Sequence, residues 1–240
     1  MTGEPPLRVD GLTRRYGRLV GLAALDLELA AGECIALIGA NGSGKSTAIR
    51  TMAGLLEPSE GSVRICGHDP HAEPDAEQAR GALALVPDAP LLYDDLTVRQ
   101  HLALVALAHG VLDDGAQARI DALLERLGLA ERADFLPAEL SRGMRQKTGL
   151  ACALIRPARL LMLDEPVVGL DPPSQALLAE LLLDAKADGT AVLLTTHQMR
   201  FADGVADEAV VLGEGEVLDR GPWRKVRERA AARGWLPDDA

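Results

Sequence analysis

The chain has 240 residues, 48% of them apolar, and sets 25 Lys plus Arg against 36 Asp plus Glu for a net charge of −11. That apolar content excludes a mainly disordered state, and the length suffices for one large domain or two small lobes. The acidity, with aromatics at only 2%, excludes electrostatic wrapping of nucleic acid and base-stacking platforms. In chain order, Val9 to Leu12 and Leu25 to Leu29 alternate in the manner of half-buried antiparallel strands. Ile35 to Ile38 is a continuous apolar run and predicts a buried strand. Val63 to Cys66, before Gly67, predicts another, and Asp69 to Asp75 a surface loop. A helical stretch follows. Thr97 N-caps a helix to about Leu112, Ala116 to Leu127 sets Ile120, Leu123, Leu124 and Leu127 on one face, and Ser141 to Ile155 makes a third. Leu160 to Leu163 and Ala191 to Leu194 are two more buried strands, and Val210 to Leu218 is a late hairpin. The tail from Gly221 to Arg229 is basic and helix-capable and reads as a solvated helix ahead of a partner contact, although Trp223 and Trp235 could bury it against the body.

This order predicts one α/β domain interrupted by a helical block. The body spans about 1–88 and 159–220, the block about 89–158 and the tail about 221–240. No apolar run reaches the roughly 18 residues that span a bilayer. The segment from Met1 to Pro6 lacks the charged-then-apolar pattern of a signal peptide. Cys34, Cys66 and Cys152 are scattered and odd in number, which fits small hydrophobes in a reducing compartment.

The first buried strand runs into Gly39-Ala-Asn-Gly-Ser-Gly44-Lys45-Ser46-Thr47, and a good helix follows. This is the G-x-x-x-x-G-K-[ST] phosphate loop in its strand–loop–helix context. Its glycines, Gly39, Gly42 and Gly44, with Asn41 and Ser43 between them, turn backbone N–H groups inward onto phosphates. The helix adds its positive end. Lys45 neutralises β/γ-phosphate charge and the Ser46 hydroxyl ligates Mg²⁺. Asp164 and Glu165 end a second buried strand. Beside a phosphate loop, Asp164 is expected to hold Mg²⁺ through water, and Glu165 to polarise the attacking water. His197 ends the next strand, placed to contact the γ-phosphate.

With Leu140-Ser-Arg-Gly-Met144 and Gly169-Leu-Asp171, these pieces stand in one order over almost the whole chain. The chain resembles the ATP-binding cassette (ABC) ATPases, and its LS-basic-GM segment is most similar to cassettes serving export-type permeases. The resemblance implies a P-loop NTPase core with a mostly parallel sheet, an N-terminal antiparallel β subdomain and an inserted α-helical subdomain. It implies that Tyr16 stacks on adenine, and that Ser141, Arg142, Gly143 and Met144 meet ATP held by a second cassette. It further implies that Asp171 contacts that subunit, although Val168 replaces a usual small polar residue. Asp88 stands where the family generally has Gln; it keeps an oxygen for Mg²⁺. Leu91 to Thr97 resembles the stretch facing a membrane subunit. The expected protein is thus an ATPase using ATP and Mg²⁺. It works as a cassette pair, homodimer or paralogues, on a separate permease, cytoplasmic and peripheral on the inner face of the membrane, with no nucleic acid partner. The alternative is a soluble ABC-type ATPase acting on a ribosome or other cytosolic machine. The single cassette and its acidity weigh against that alternative.

Overall fold

The computed structural model describes residues 4–235; the expectations for residues 1–3 and 236–240 lie outside them. Two sheets share one core. The first is antiparallel, in the order β2-β1-β4, from β1 (Leu7–Tyr16), β2 (Leu19–Leu29) and β4 (Glu60–Ile65). The second has the order β5-β6-β7-β3-β8-β9, from β3 (Cys34–Ile38), β5 (Leu83–Val86), β6 (Leu160–Asp164), β7 (Ala191–Thr196), β8 (Glu208–Gly213) and β9 (Glu216–Pro222). All its pairings are parallel except β8 with β9. β3, β6 and β7 are buried along their whole length, as continuous apolar runs in a covered parallel sheet must be.

Two apolar clusters lie on the two faces of this sheet. Ile35, Leu37, Met162 and Leu193 point toward the antiparallel sheet and toward α1 (Lys45–Met52). Ala36, Ile38, Leu161, Leu163 and Leu194 point the other way. There they meet α6 (Pro172–Ala187), α7 (Met199–Asp203) and α8 (Trp223–Ala232). Each fully buried Leu contributes roughly 2 kcal/mol.

A third cluster joins α3 (Val98–Ala108), α4 (Ala116–Arg126) and α5 (Arg142–Leu154) around Leu102, Ile120, Leu124 and Ala151, with Leu181 of α6 beneath. Thr97 caps α3 in a reciprocal capping box with Gln100. Ser141 caps α5 by accepting from the Met144 N–H at 3.2 Å.

Several readings need correction. α2 (Asp75–Ala82) and β5 lie where the sequence suggested no element, and α6 and α7 were likewise unforeseen. The helix expected to reach Leu112 ends at Ala108, and the strand expected over Val63 to Cys66 runs from Glu60 to Ile65. The loop from Asp69 to Asp75 is not wholly on the surface, since Pro70 is buried. The tail is no separate appendage either. β9 runs on to Pro222, and Trp223, Val226 and Ala230 of α8 belong to the core beside the sheet, with Trp235 packed against it. Trp223 Nε1 donates to Asp203 Oδ1 at 2.8 Å, and Arg227 pairs with the other oxygen of that carboxylate. These two bonds anchor α7, the short helix after His197.

Candidate nucleotide site and its neighbours

Strand order brings the chemistry together. β6, β7 and β3 are neighbours, and their carboxyl ends align: Ile38 opposite Thr196, and Asp164 opposite Thr195. In a parallel sheet that edge is where ligands bind. The phosphate loop leaves β3, the two acids end β6, and His197 follows β7.

Two glycines of the loop are required for different reasons. Gly42 has φ +82° with open space around it, so the left-handed backbone alone calls for glycine there. Gly44 has φ +105°, and a Cβ there would also stand 2.5 Å from the Gly21 carbonyl. Lys45 Nζ donates to Gly39 O at 2.8 Å and Ala40 O at 3.2 Å, and sits 3.5 Å from Glu165 Oε1. The Ser46 hydroxyl donates to Asp164 Oδ1 at 3.1 Å, so two expected Mg²⁺ ligands already touch. Burial pushes the Asp164 carboxyl above its ordinary value, opposed by bonds from Thr195 and Ser46.

Glu165 does not continue the extended strand that ends at Asp164. It has φ +49°, a left-handed conformation that costs a non-glycine residue about 1 kcal/mol or more. The turn delivers its carboxylate between Lys45 and His197, whose Nδ1 lies 2.9 Å from Oε2. Thr195 holds the arrangement. Its hydroxyl donates to Asp164 Oδ1 at 2.7 Å and accepts from the Glu165 N–H at 2.8 Å. Nothing in the local sequence marks Thr195 for this part, since both its partners come from β6 and the turn after it.

A hollow of about 740 Å³ opens over the loop, lined by Tyr16, by Asn41, Gly42, Ser43 and on through Thr47, and by Asp88 and Glu165. Leu19, Val20 and Glu214 also line it, and sequence reasoning missed all three. A hydrophobic pair after the Arg15-Tyr-Gly17 turn was the available signal for the first two. The edge of the Tyr16 ring lies against Gly21, and the Arg14 guanidinium covers the ring at 4.8 Å. Asp88 stands at the lip, half exposed and paired with Arg50 Nη2 at 3.6 Å.

A family model described as "ABC transporter" matches residues 22–168, more than half of the chain. This chain belongs to the ABC transporter family. It is an ATP-binding, ATP-hydrolysing subunit of that family. It is 36% identical over 233 residues to the ABC-type transporter ATP-binding protein EcsA of Bacillus subtilis (strain 168), covering 97% of this chain and 94% of the relative. It is 37% identical to the daunorubicin resistance ATP-binding protein DrrA3 of Streptomyces coeruleorubidus, covering 91% and 68%. It is 35% identical to a Nod factor export ATP-binding protein I of Burkholderia orbicola (strain AU 1054), covering 90% and 70%. Among solved structures, an ATP-binding subunit of an ABC transporter superposes with a TM-score of 0.87 at 36% identity, over 96% and 95% of the two chains. The cbiO1 subunit of Clostridium perfringens, part of the ABC transporter complex cbiONQ, gives 0.80 at 26% identity over 96% and 94%.

The cassette's signature segment lies apart from its own nucleotide hollow. Ser141, Arg142, Gly143 and Met144 line a second hollow of about 460 Å³ with Gly169 and Asp171. A Cβ on Gly143 would stand 2.9 Å from Gly169 O, so helix and loop meet backbone to backbone. Asp171 N-caps α6, accepting from Ser174 N at 3.1 Å, and the Ser174 side chain, with that backbone N–H, holds its carboxyl below the ordinary value. Further out, Leu91 and Tyr93 are among the cassette's most exposed large hydrophobics. The buried His101 ring fixes that segment: Nε2 accepts from the Tyr93 N–H at 2.8 Å, and Nδ1 lies 2.7 Å from Thr97 O.

The donors near Ser46 suit a hard dication. Among the described residues no group of three His, Cys, Asp or Glu gathers into a metal cluster. What the loop offers is one hydroxyl and one carboxylate in contact, with a second carboxylate at the lip. That is the sparse oxygen set Mg²⁺ uses when phosphates and waters complete its shell.

Proposed function

We propose that this cassette powers export of a substrate across a membrane by acting on separate permease subunits. What supports the direction is the pair of relatives named for Nod factor export and daunorubicin resistance. Among the described residues no helix is long and apolar enough to cross a membrane. The cassette then sits on the cytoplasmic face, and the exposed Leu91 to Thr97 segment meets the permease.

In this reading Tyr16 stacks on adenine, and the backbone of residues 39 to 47 cradles the phosphates. Lys45 turns from Gly39 O and Ala40 O to the β/γ oxygens. Ser46, Asp164 and Asp88 are the residues that would hold Mg²⁺, which would neutralise phosphate charge there. Glu165 takes the proton of the attacking water, and His197 holds the Glu165 carboxylate in place and senses the γ-phosphate. Ser141 to Met144 of a second cassette close over the nucleotide, and Asp171 lies at the subunit contact. Loss of the γ-phosphate contacts reopens the pair.

The test is a capture experiment. Tagged Glu165→Gln cassette is solubilised from its host's membranes in mild detergent with ATP and Mg²⁺. A polytopic membrane protein in stoichiometric amount is the expected companion. Ribosomal or other soluble partners, with no membrane protein, would replace the transporter reading with that of a soluble machine.

A further inference from the structure

A hollow of about 720 Å³ lies where β6 begins, whereas the catalytic acids stand where β6 ends. It shares no lining residue with the nucleotide hollow. One wall comes from α4 and the end of α5, the other from α6 and the start of β6. Leu123, Leu154 and Leu181 supply apolar surface.

Its charges do not balance. Arg119 pairs with Asp113 at 2.9 Å, and Arg126 pairs with Asp184. Asp188 lines the hollow from the exposed end of α6. Arg159 lines it too, exposed and in no ion pair among the described residues. Arg156 is different in kind. It is only 8% exposed; among the described residues its side chain makes one hydrogen bond, to Gly81 O at 2.9 Å, and no carboxylate pairs with it. A buried cation without a counter-ion is expensive, and burial pulls this guanidinium below its ordinary pKa. A guanidinium carries five N–H donors, and Gly81 uses one of them.

We propose that this hollow is a binding site for an amphipathic organic anion. Its carboxylate, sulfonate or phosphate head lies on Arg156, and its apolar body lies against Leu123, Leu154 and Leu181. Such an occupant supplies the missing countercharge. It also touches both the helical block and the sheet body, so it ties together the two parts that carry the signature and the phosphate loop.

The probe is 8-anilinonaphthalene-1-sulfonate, titrated by fluorescence into the purified full chain. The expected result is saturable binding of one probe per chain, unchanged by saturating ATP and Mg²⁺. Arg156→Met weakens it at least tenfold, and Arg156→Lys recovers most of the loss. Ala185→Phe keeps every charge but fills the hollow, and also weakens binding at least tenfold; it decides the matter alone if Arg156→Met does not fold. Decanoate displaces the probe, and inorganic phosphate at the same concentration does not. Absence of saturable binding, displacement by ATP, equal displacement by phosphate, or wild-type affinity in the folded variants would each overturn the proposal.

Discussion

Thr195 and Asp164 face each other across adjacent strands, and the threonine hydroxyl donates to the aspartate at 2.7 Å while accepting from the Glu165 N–H at 2.8 Å. One fully buried hydroxyl thus orients both acids of the site. Thr195→Val keeps the shape, leaves the Glu165 N–H unpaired and frees the Asp164 carboxylate. The expected cost is about 1–3 kcal/mol of stability, read by urea denaturation. ATP turnover should fall at least about tenfold, since in the proposed reading Glu165 is the general base and a displaced base loses much of its effect. Unchanged turnover would mean the acids are positioned by the strand ends alone.

The seat of Tyr16 predicts a second result. A Cβ on Gly21 would stand 2.8 Å from Tyr16 Cε2, so Gly21→Ala must shift the ring. Tyr16→Ala should weaken ATP about tenfold, the scale of one aromatic stack on a base. Gly21→Ala should give a smaller loss, and Tyr16→Trp should preserve affinity. Equilibrium binding of ATP and of inorganic triphosphate distinguishes the base from the phosphates: only ATP should respond.

Gly143→Ala tests the signature hollow. Its new methyl presses on the Gly169 carbonyl and moves the start of α5 from the loop that ends at Asp171. Monomer binding of ATP should stay within about twofold, because the nucleotide hollow is elsewhere. Turnover should fall about tenfold or more, and ATP-dependent pairing, followed by light scattering, should fall with it. Loss of monomer affinity instead would place the signature's role within one chain.

Asp219 carries a pH prediction. Its carboxylate takes two bonds from Arg229, at 2.6 and 2.9 Å, and these hold its pKa below the ordinary 3.8. A depressed carboxylate stabilises the fold above its unfolded pKa, and that contribution is lost as pH falls through the lower folded value. Asp219→Asn should therefore lower Tm by about 1–3 °C at pH 7. Measured against pH by calorimetry, the gap should close in the acid range below the ordinary carboxylate value.

Some of this was legible before any coordinates. The phosphate loop announces itself because every residue type in it has a local reason, and the buried strands are short apolar runs with polar ends. Thr97 and Ser141 cap the helices that follow them, since capping is a matter of three residues. α6 was illegible for the opposite reason. Its leucines at 178, 181 and 182 are buried, yet Leu183 is 44% exposed, so no single face stands out. Thr195 was passed over because its partners are 31 and 30 residues away in sequence. Glu165 reached the site by a left-handed turn that alternation does not foresee. The unmatched charge of Arg156 likewise exists only once α2, α5 and β6 have met.

The place of β3 in the sheet has a consequence for the birth of the protein. Its neighbours are β7 and β8, so the strand that launches the phosphate loop finds no partner in its own sheet until residues near 191 and 211 have left the ribosome. The emerging chain must carry a bare apolar strand, in need of shelter, until those residues have followed it, and only then is the sheet edge that holds the phosphate loop assembled.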